Sequence, residues 1–247
     1  MHVVLREARD TLVPDMDGPH GPLPPVLLAL TVVSGLVDAF SFLLLGHVFV
    51  ANMTGNVVIM GFALAGAPGF STAASTVALV SFAAGALAGG ITMHLGRAHR
   101  GRRLLHALLV QSAFVTAALV VTLLSGGPYT GGARFTLVVL LGLGLGVQNA
   151  SVRALGVPDL TTTVLTRTLT GAVADSLLAR GPGSRAGRRV LSAAAMLAGA
   201  FVGAVTALHV HPALPLLCAL AVLTGAAVAI GVLSRGDALW TRPDPGK

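Results

Sequence analysis

The strongest constraint on this chain is a series of long apolar runs that hold almost no charge. Eight can be marked, at about 25–46, 47–66, 71–95, 104–124, 134–155, 160–178, 190–210 and 213–233. A helix needs about 20 apolar residues to cross the hydrocarbon core of a bilayer. Segments 47–66 and 160–178 reach that length only by counting polar residues. Those are Asn52, Thr54 and Asn56 in the first, and Thr161, Thr162, Thr163, Thr166, Arg167, Thr168, Thr170 and Asp175 in the second. The runs do not alternate as the strands of a membrane β-barrel would. Only 10% of the 247 residues are charged, where a soluble domain carries about 25%. The fold class expected is all-α, a polytopic helical membrane protein.

The net charge of +7 would suggest nucleic acid in a soluble protein. Here the arginines sit in short loops between apolar runs, the mark of a cytoplasmic face, so no nucleic-acid partner is expected. Lys247 is the only lysine, and Cys218 the only cysteine. One buried thiol excludes an intrachain disulfide or a cysteine metal site. Arginine, alanine and glycine usage points to a GC-rich bacterial genome, hence to the inner membrane.

The chain also repeats itself. "GLVDAFS" (35–41) aligns with "GVQNASV" (146–152), which sets Asp38 against Asn149. "MTGN" (53–56) aligns with "LTRT" (165–168), and "AGALAGGI" (84–91) with "AGAFVGAV" (198–205). Charge then fixes the topology. Loop 96–103 holds Arg97, Arg100, Arg102 and Arg103; loop 180–189 holds Arg180, Arg185, Arg188 and Arg189. Both should be cytoplasmic, yet three apolar segments separate them. One must fail to cross, and 160–178 is the most polar. The repeat asks the same of 47–66.

Six full helices and two partial, broken ones remain, in an inverted-topology repeat. The expected organisation is a mobile cytoplasmic tail (1–24), a first membrane repeat (25–125), an external loop (126–133), a second repeat (134–234) and a cytoplasmic tail (235–247). Both termini lie inside.

The polar clusters suit helix breaks. Irregular backbone at membrane depth is tolerated only when buried in protein or lining a wet cavity. Asn52, Thr54, Gly55 and Asn56 in one half, and Thr163, Thr166 and Arg167 in the other, would meet near the midplane. The half-helix starting near Asn56 would aim its positive end there. Alternatively, the same side chains only bond packed helices to each other. Asp38, well inside the first span, is a functional candidate by default, with Arg167 its nearest plausible counter-charge. Asp175 with Arg180 reads as structural, and Arg153 as a snorkelling end charge.

Gly85 with Gly89, and Gly199 with Gly203, are small-xxx-small pairs that let helices approach closely. Packing between halves is the first use for them, and a homo-oligomer the second. "GLGLG" (142–146) follows no strand and is no dinucleotide fingerprint. His94, His99, His106, His209 and His211 have no metal-ligand spacing, so no metal and no cofactor is expected. Ser41, Ser81, Ser112 and Ser192 are lone hydroxyls that should bond their own helix. No catalytic group of acid, base and nucleophile converges, so no enzyme is expected.

At "SGLVDAFSFLLLGHVFVANMTGNVVIMGFAL" (34–64) the chain resembles the YoaK-like family of bacterial integral membrane proteins, a domain of unknown function. The residues that carry the resemblance are Gly35, Asp38, Ala39, Asn52, Thr54, Gly55 and Asn56, then "QNA" (148–150) and "TTTVLTRTLT" (161–170). It covers about residues 25–233 and implies membrane location and about six spans. Arg167 stands where the family pattern has a small residue, so the resemblance does not imply an Asp38–Arg167 pair. It supplies no substrate. The function expected is passage of a small polar or anionic solute, by a transporter or channel-like protein. A membrane scaffold is the first alternative, and an intramembrane enzyme the second. The partners expected are the bilayer and the solute.

Overall fold

The structure is a computed structural model that describes residues 2–95, 99–157, 186–236 and 238–242. Among the described residues there is no strand. Helix α1 (His2–Leu12) is followed by α2 (Leu23–Leu44), α3 (Met53–Leu64), α4 (Thr72–Leu95), α5 (Arg100–Ser125), α6 (Gly131–Leu155), α7 (Ala186–His209) and α8 (Leu214–Leu233). Six of these, all but α1 and α3, are long and apolar enough to cross a membrane. The chain is therefore a multi-pass helical membrane protein. Segment 160–178, with Thr163, Thr166, Arg167, Asp175 and Arg180, lies outside the described residues.

Local chemistry sets the helix ends. Prolines open the first turns of α2 and α8, where a missing N–H costs nothing. Gly126 and Gly156 close α5 and α6 in the left-handed conformation, which a side chain would resist. Arg103 Nη1 donates to the Met93 carbonyl and Arg100 Nη2 to the Leu155 carbonyl. Two orphan carbonyls at the negative ends of α4 and α6 thus receive cationic donors. Helix α2 is the central element: 78% of its apolar window is buried, against 22% for α7. Leu197 and Phe201 of α7, Val80 and Leu87 of α4, and Leu124 of α5 point outward, as a lipid-facing belt requires.

Segment 47–66 does not cross. His47 Nδ1 is hydrogen-bonded to the Gly69 carbonyl at 3.2 Å, so the segment ends beside its start. The chain turns at Gly46 and His47, both at positive φ, and dips back along α2. Helix α3 then returns it to the end it left. Consequently α2 and α4 run in opposite directions. Arg134 Nη2 donates to the Gly46 carbonyl at this same end. The opposite, basic end gathers Arg100, Arg102, Arg103, Arg153, Arg188 and Arg189 with α1 and the turn at 239–241. There Trp240 is buried against Gly21 and Gly101.

The N-terminal tail differs from the expectation of a mobile segment. Residues 2–12 form α1, which packs on α7. Glu7 Oε2 accepts from the Gly187 N–H at 3.0 Å, placing an anion on the positive end of α7.

Two helix pairs hold the bundle together, and they are twins. Helix α7 packs along α2 in parallel, and α4 packs along α6 in the same way. A Cβ at Gly199 would collide with the Val32 carbonyl oxygen; one at Gly85 would collide with that of Leu143. A Cβ at Gly203 would lie 2.9 Å from Ala39 Cβ, and one at Gly89 would lie 3.1 Å from Ala150 Cβ. Gly35 is closed in by Met196 and Ala200, as Gly146 is by Phe82 and Ala86. The aligned sequence segments thus make matching backbone contacts. Around the twins, α5 packs on α6 as α8 packs on α2, and α5 meets α8.

Candidate functional site

The irregular stretch between α2 and α3 leaves several backbone groups without helix partners at membrane depth, where each unpaired group costs several kcal/mol. The polar residues of the motif answer that demand. Asp38 lies one and a half turns before the end of α2 and is 3% exposed. Its Oδ1 accepts from the Val50 N–H at 3.0 Å and the Ala51 N–H at 2.8 Å. Asn56, buried in the first turn of α3, bonds Phe49 twice. Its Oδ1 accepts from the Phe49 N–H at 2.9 Å, and its Nδ2 donates to the Phe49 carbonyl at 2.6 Å. That reciprocal pair replaces a missing backbone partner. Asn52 is the N-cap of α3 and accepts from the Gly55 N–H at 3.2 Å.

The remaining motif residues have steric or surface positions. A Cβ on Gly55 would come within 2.8 Å of the Phe49 ring, so glycine lets that ring close over the turn. Phe49 stacks on Phe42 of α2, centroids 4.7 Å apart, and this anchors the descending strand of chain. Asn52 and Thr54 are exposed among the described residues.

Asp38 has a second oxygen. Oδ2 is buried and has no hydrogen-bond partner among the described residues. A half-satisfied carboxyl group at this depth is the most costly polar feature of the structure. The amides of Val50 and Ala51, just before the N-cap of α3, point at Asp38 itself. An incoming anion would compete with that carboxylate.

Asn149, aligned with Asp38, donates Nδ2 to the Leu145 carbonyl at 2.9 Å. Its neighbour Gln148 belongs to a buried cluster that the sequence reading left unassigned. Gln111 Nε2 donates to Gln148 Oε1 at 2.6 Å, and Gln148 Nε2 donates to Ser34 Oγ at 2.9 Å. Gln111 Oε1 is buried without a partner among the described residues. The available signal was a lone amide inside each of two apolar runs, "LLVQSAF" and "LGVQNAS". The isolated serines behave as hydroxyls in helices do: Ser41, Ser81 and Ser112 donate to carbonyls of their own helices. No group of three metal-ligating side chains occurs among the described residues.

Six apolar helices, with a re-entrant half-helix packed on α4 at their edge and a carboxyl group beside its start, define a polytopic integral membrane protein. A family model described as "Protein of unknown function (DUF1275)" matches residues 26–230, and the chain belongs to that family. It is 30% identical over 152 residues to the UPF0700 transmembrane protein YoaK of Bacillus subtilis (strain 168). That match covers 61% of this chain and 65% of the relative, so the chain spans slightly less than two thirds of the length of the curated protein it resembles. No solved structure matches the chain.

Proposed function

We propose that this protein is a bacterial inner-membrane transporter or channel-like protein for a small polar solute. The halves are an inverted repeat, and the basic end with both termini faces the cytoplasm. The excess of arginine at that end supports this orientation. The twin glycine contacts and the opposite directions of α2 and α6 support the repeat. In this reading Asp38, Asn52, Thr54, Gly55, Asn56 and Asn149 contribute from the described residues, and Thr163, Thr166 and Arg167 from the second polar segment. The observation that carries it is Asp38 Oδ2, a buried acceptor without a partner among the described residues. A group that only packed helices would have both oxygens bonded. Preference for an anion rests on Arg167, because the Asp38 carboxyl group stands next to the start of α3.

A specific observation favours the scaffold reading. Asn52, Asn56 and Asp38 Oδ1 all bond the backbone of residues 49–55, and that alone explains why they are polar.

A thermal-shift screen separates the two. A solute that binds the folded state raises its melting temperature. The transporter reading expects a solute that stabilises the native protein and leaves Asp38→Asn unshifted. A panel that shifts both equally, or neither, removes the midplane site. Orientation has its own check in a Cys218→Ala background. Pro68→Cys and Thr130→Cys should label from outside, whereas Gly236→Cys should not.

A further inference from the structure

The twin seams make it possible to ask which polar residues the packing does not need. Asp38 and Ser34 lie on α2 beside the α7 seam. On α6, beside the matching α4 seam, the corresponding positions hold Asn149 and Leu145. Gln148 in turn corresponds to Val37. The same backbone approach is therefore built with and without Ser34, the carboxyl group and Gln148. Each of the three faces a different side chain at its twin position, two of them on α2 and one on α6.

These residues are contiguous. Ser34 and Asp38 are four apart on α2, so they share a face with Cβ atoms about 5–6 Å apart. Ser34 accepts from Gln148, which accepts from Gln111. Thr31, also buried, lies about one turn nearer the basic end on α2. Two buried oxygens along this line, Asp38 Oδ2 and Gln111 Oε1, have no partner among the described residues. Buried acceptors of this kind call for water or a proton.

We propose that Asp38 carries an exchangeable proton, and that the Ser34–Gln148–Gln111 chain beside it orders the water with which that proton exchanges. The proposal deepens the midplane reading of Asp38 and rests on it. The step is a simple protonation: Oδ2 takes H⁺ from hydronium, leaving water, and returns it to water. Oδ1 keeps its bonds to Val50 and Ala51 in both forms, so the re-entrant backbone stays in place. The amides hold water in line and do not themselves carry the charge.

The ionisable groups on the elements packed against α2 stand elsewhere. His47, Tyr129, Arg134, His209 and Cys218 are toward the outer end. Arg6, Glu7, Arg9, Asp10, Arg153, Arg188 and Arg189 are toward the basic end. Helix α3 carries none. Among the described residues, nothing at the depth of Asp38 competes for the proton.

Infrared difference spectroscopy of the full chain in lipid nanodiscs, stepped in pH, tests this without a known solute. A protonated-carboxyl C=O band should rise and fall with bulk pH and be lost in Asp38→Asn. Asp38→Glu should keep a pH-dependent band at a displaced frequency, which guards against a misfolded Asn variant. In Gln148→Leu, hydrogen–deuterium exchange of the band should slow several-fold. No Asp38-dependent band at any pH overturns the proposal, as does a band that ignores bulk pH. Unchanged exchange in Gln148→Leu overturns the part assigned to that chain. A solute hit in the thermal screen alongside a silent Asp38 would leave the solute site standing and remove only the proton.

Discussion

The α2–α7 seam and the α6–α4 seam are the same piece of packing built twice, and they differ in what they hold. Both bring glycine against a facing backbone, at Gly35 and Gly199 in one and at Gly146 and Gly85 in the other. The first has a buried carboxyl group and a serine one turn before it. The second has an amide and a leucine. Packing in lipid gains little from apolar contact itself, since the tails are as apolar as leucine, so close approach of small residues must hold the helices together. That requirement is identical on the two seams, and so are the glycines. The polar residues answer to a demand that only one seam meets.

The largest effects should fall on the shared part. Gly85→Leu and Gly199→Leu each drive a side chain into a backbone carbonyl that a rotamer change cannot move. Each should cost about 3 kcal/mol or more, at or above the upper part of the range for overpacking. Unfolding followed by Trp240 fluorescence should place the two variants close together. If one is tolerated and the other is not, the seams are not equivalent.

Next come changes at the carboxyl group. Asp38→Ala leaves the buried N–H groups of Val50 and Ala51 without an acceptor, at a cost of about 2–4 kcal/mol for the two. Asp38→Asn keeps an acceptor oxygen in place and should cost about 1 kcal/mol or less. A destabilisation by Asn as large as that by Ala would mean that the charge, not the acceptor, holds the break. The matching Asn149→Asp exchange should not transfer the pH-dependent carboxyl band, because Leu145 gives it no polar neighbour one turn away.

Much of the architecture was legible because membrane physics is severe. Twenty apolar residues cannot end in lipid, so run length marked eight segments, and the two basic loops removed 160–178 from the full spans. The partial nature of 47–66 followed from the internal repeat, and the His47–Gly69 bond closes that segment. Asp38 stood out because a carboxylate is rare at depth. Its partners did not, since the amides of Val50 and Ala51 become donors only once the chain folds back along α2. The reading of the half-helix as an anion site did not place the Asp38 carboxyl group beside its start. Helix α1 was missed because its contacts, Glu7 on Gly187 among them, join residues far apart in a sequence that is polar at this end. The Gln111–Gln148–Ser34 chain was missed because each amide looks incidental in its own run, and only the crossing of α5, α6 and α2 joins them.

Within the re-entrant motif the asparagines should separate by burial. Asn56 serves both backbone groups of Phe49, and Asn56→Ala orphans a donor and an acceptor together. The cost should be about 2–3 kcal/mol, with loosening of the 49–55 turn detectable as faster amide exchange there. Asn52 makes a single capping bond from an exposed position, so Asn52→Ala should cost about 1 kcal/mol, the usual loss for an N-cap. Asn52→Ser, which keeps a side-chain oxygen at the cap, should recover most of it. A cost for Asn52→Ala well above that of a cap, not recovered by serine, would mean that its amide does more than start α3. Since Asn52 faces outward beside Thr54, the extra contribution would then come from something that touches this face at the midplane, and the comparison between a packed seam and a working one would extend to α3.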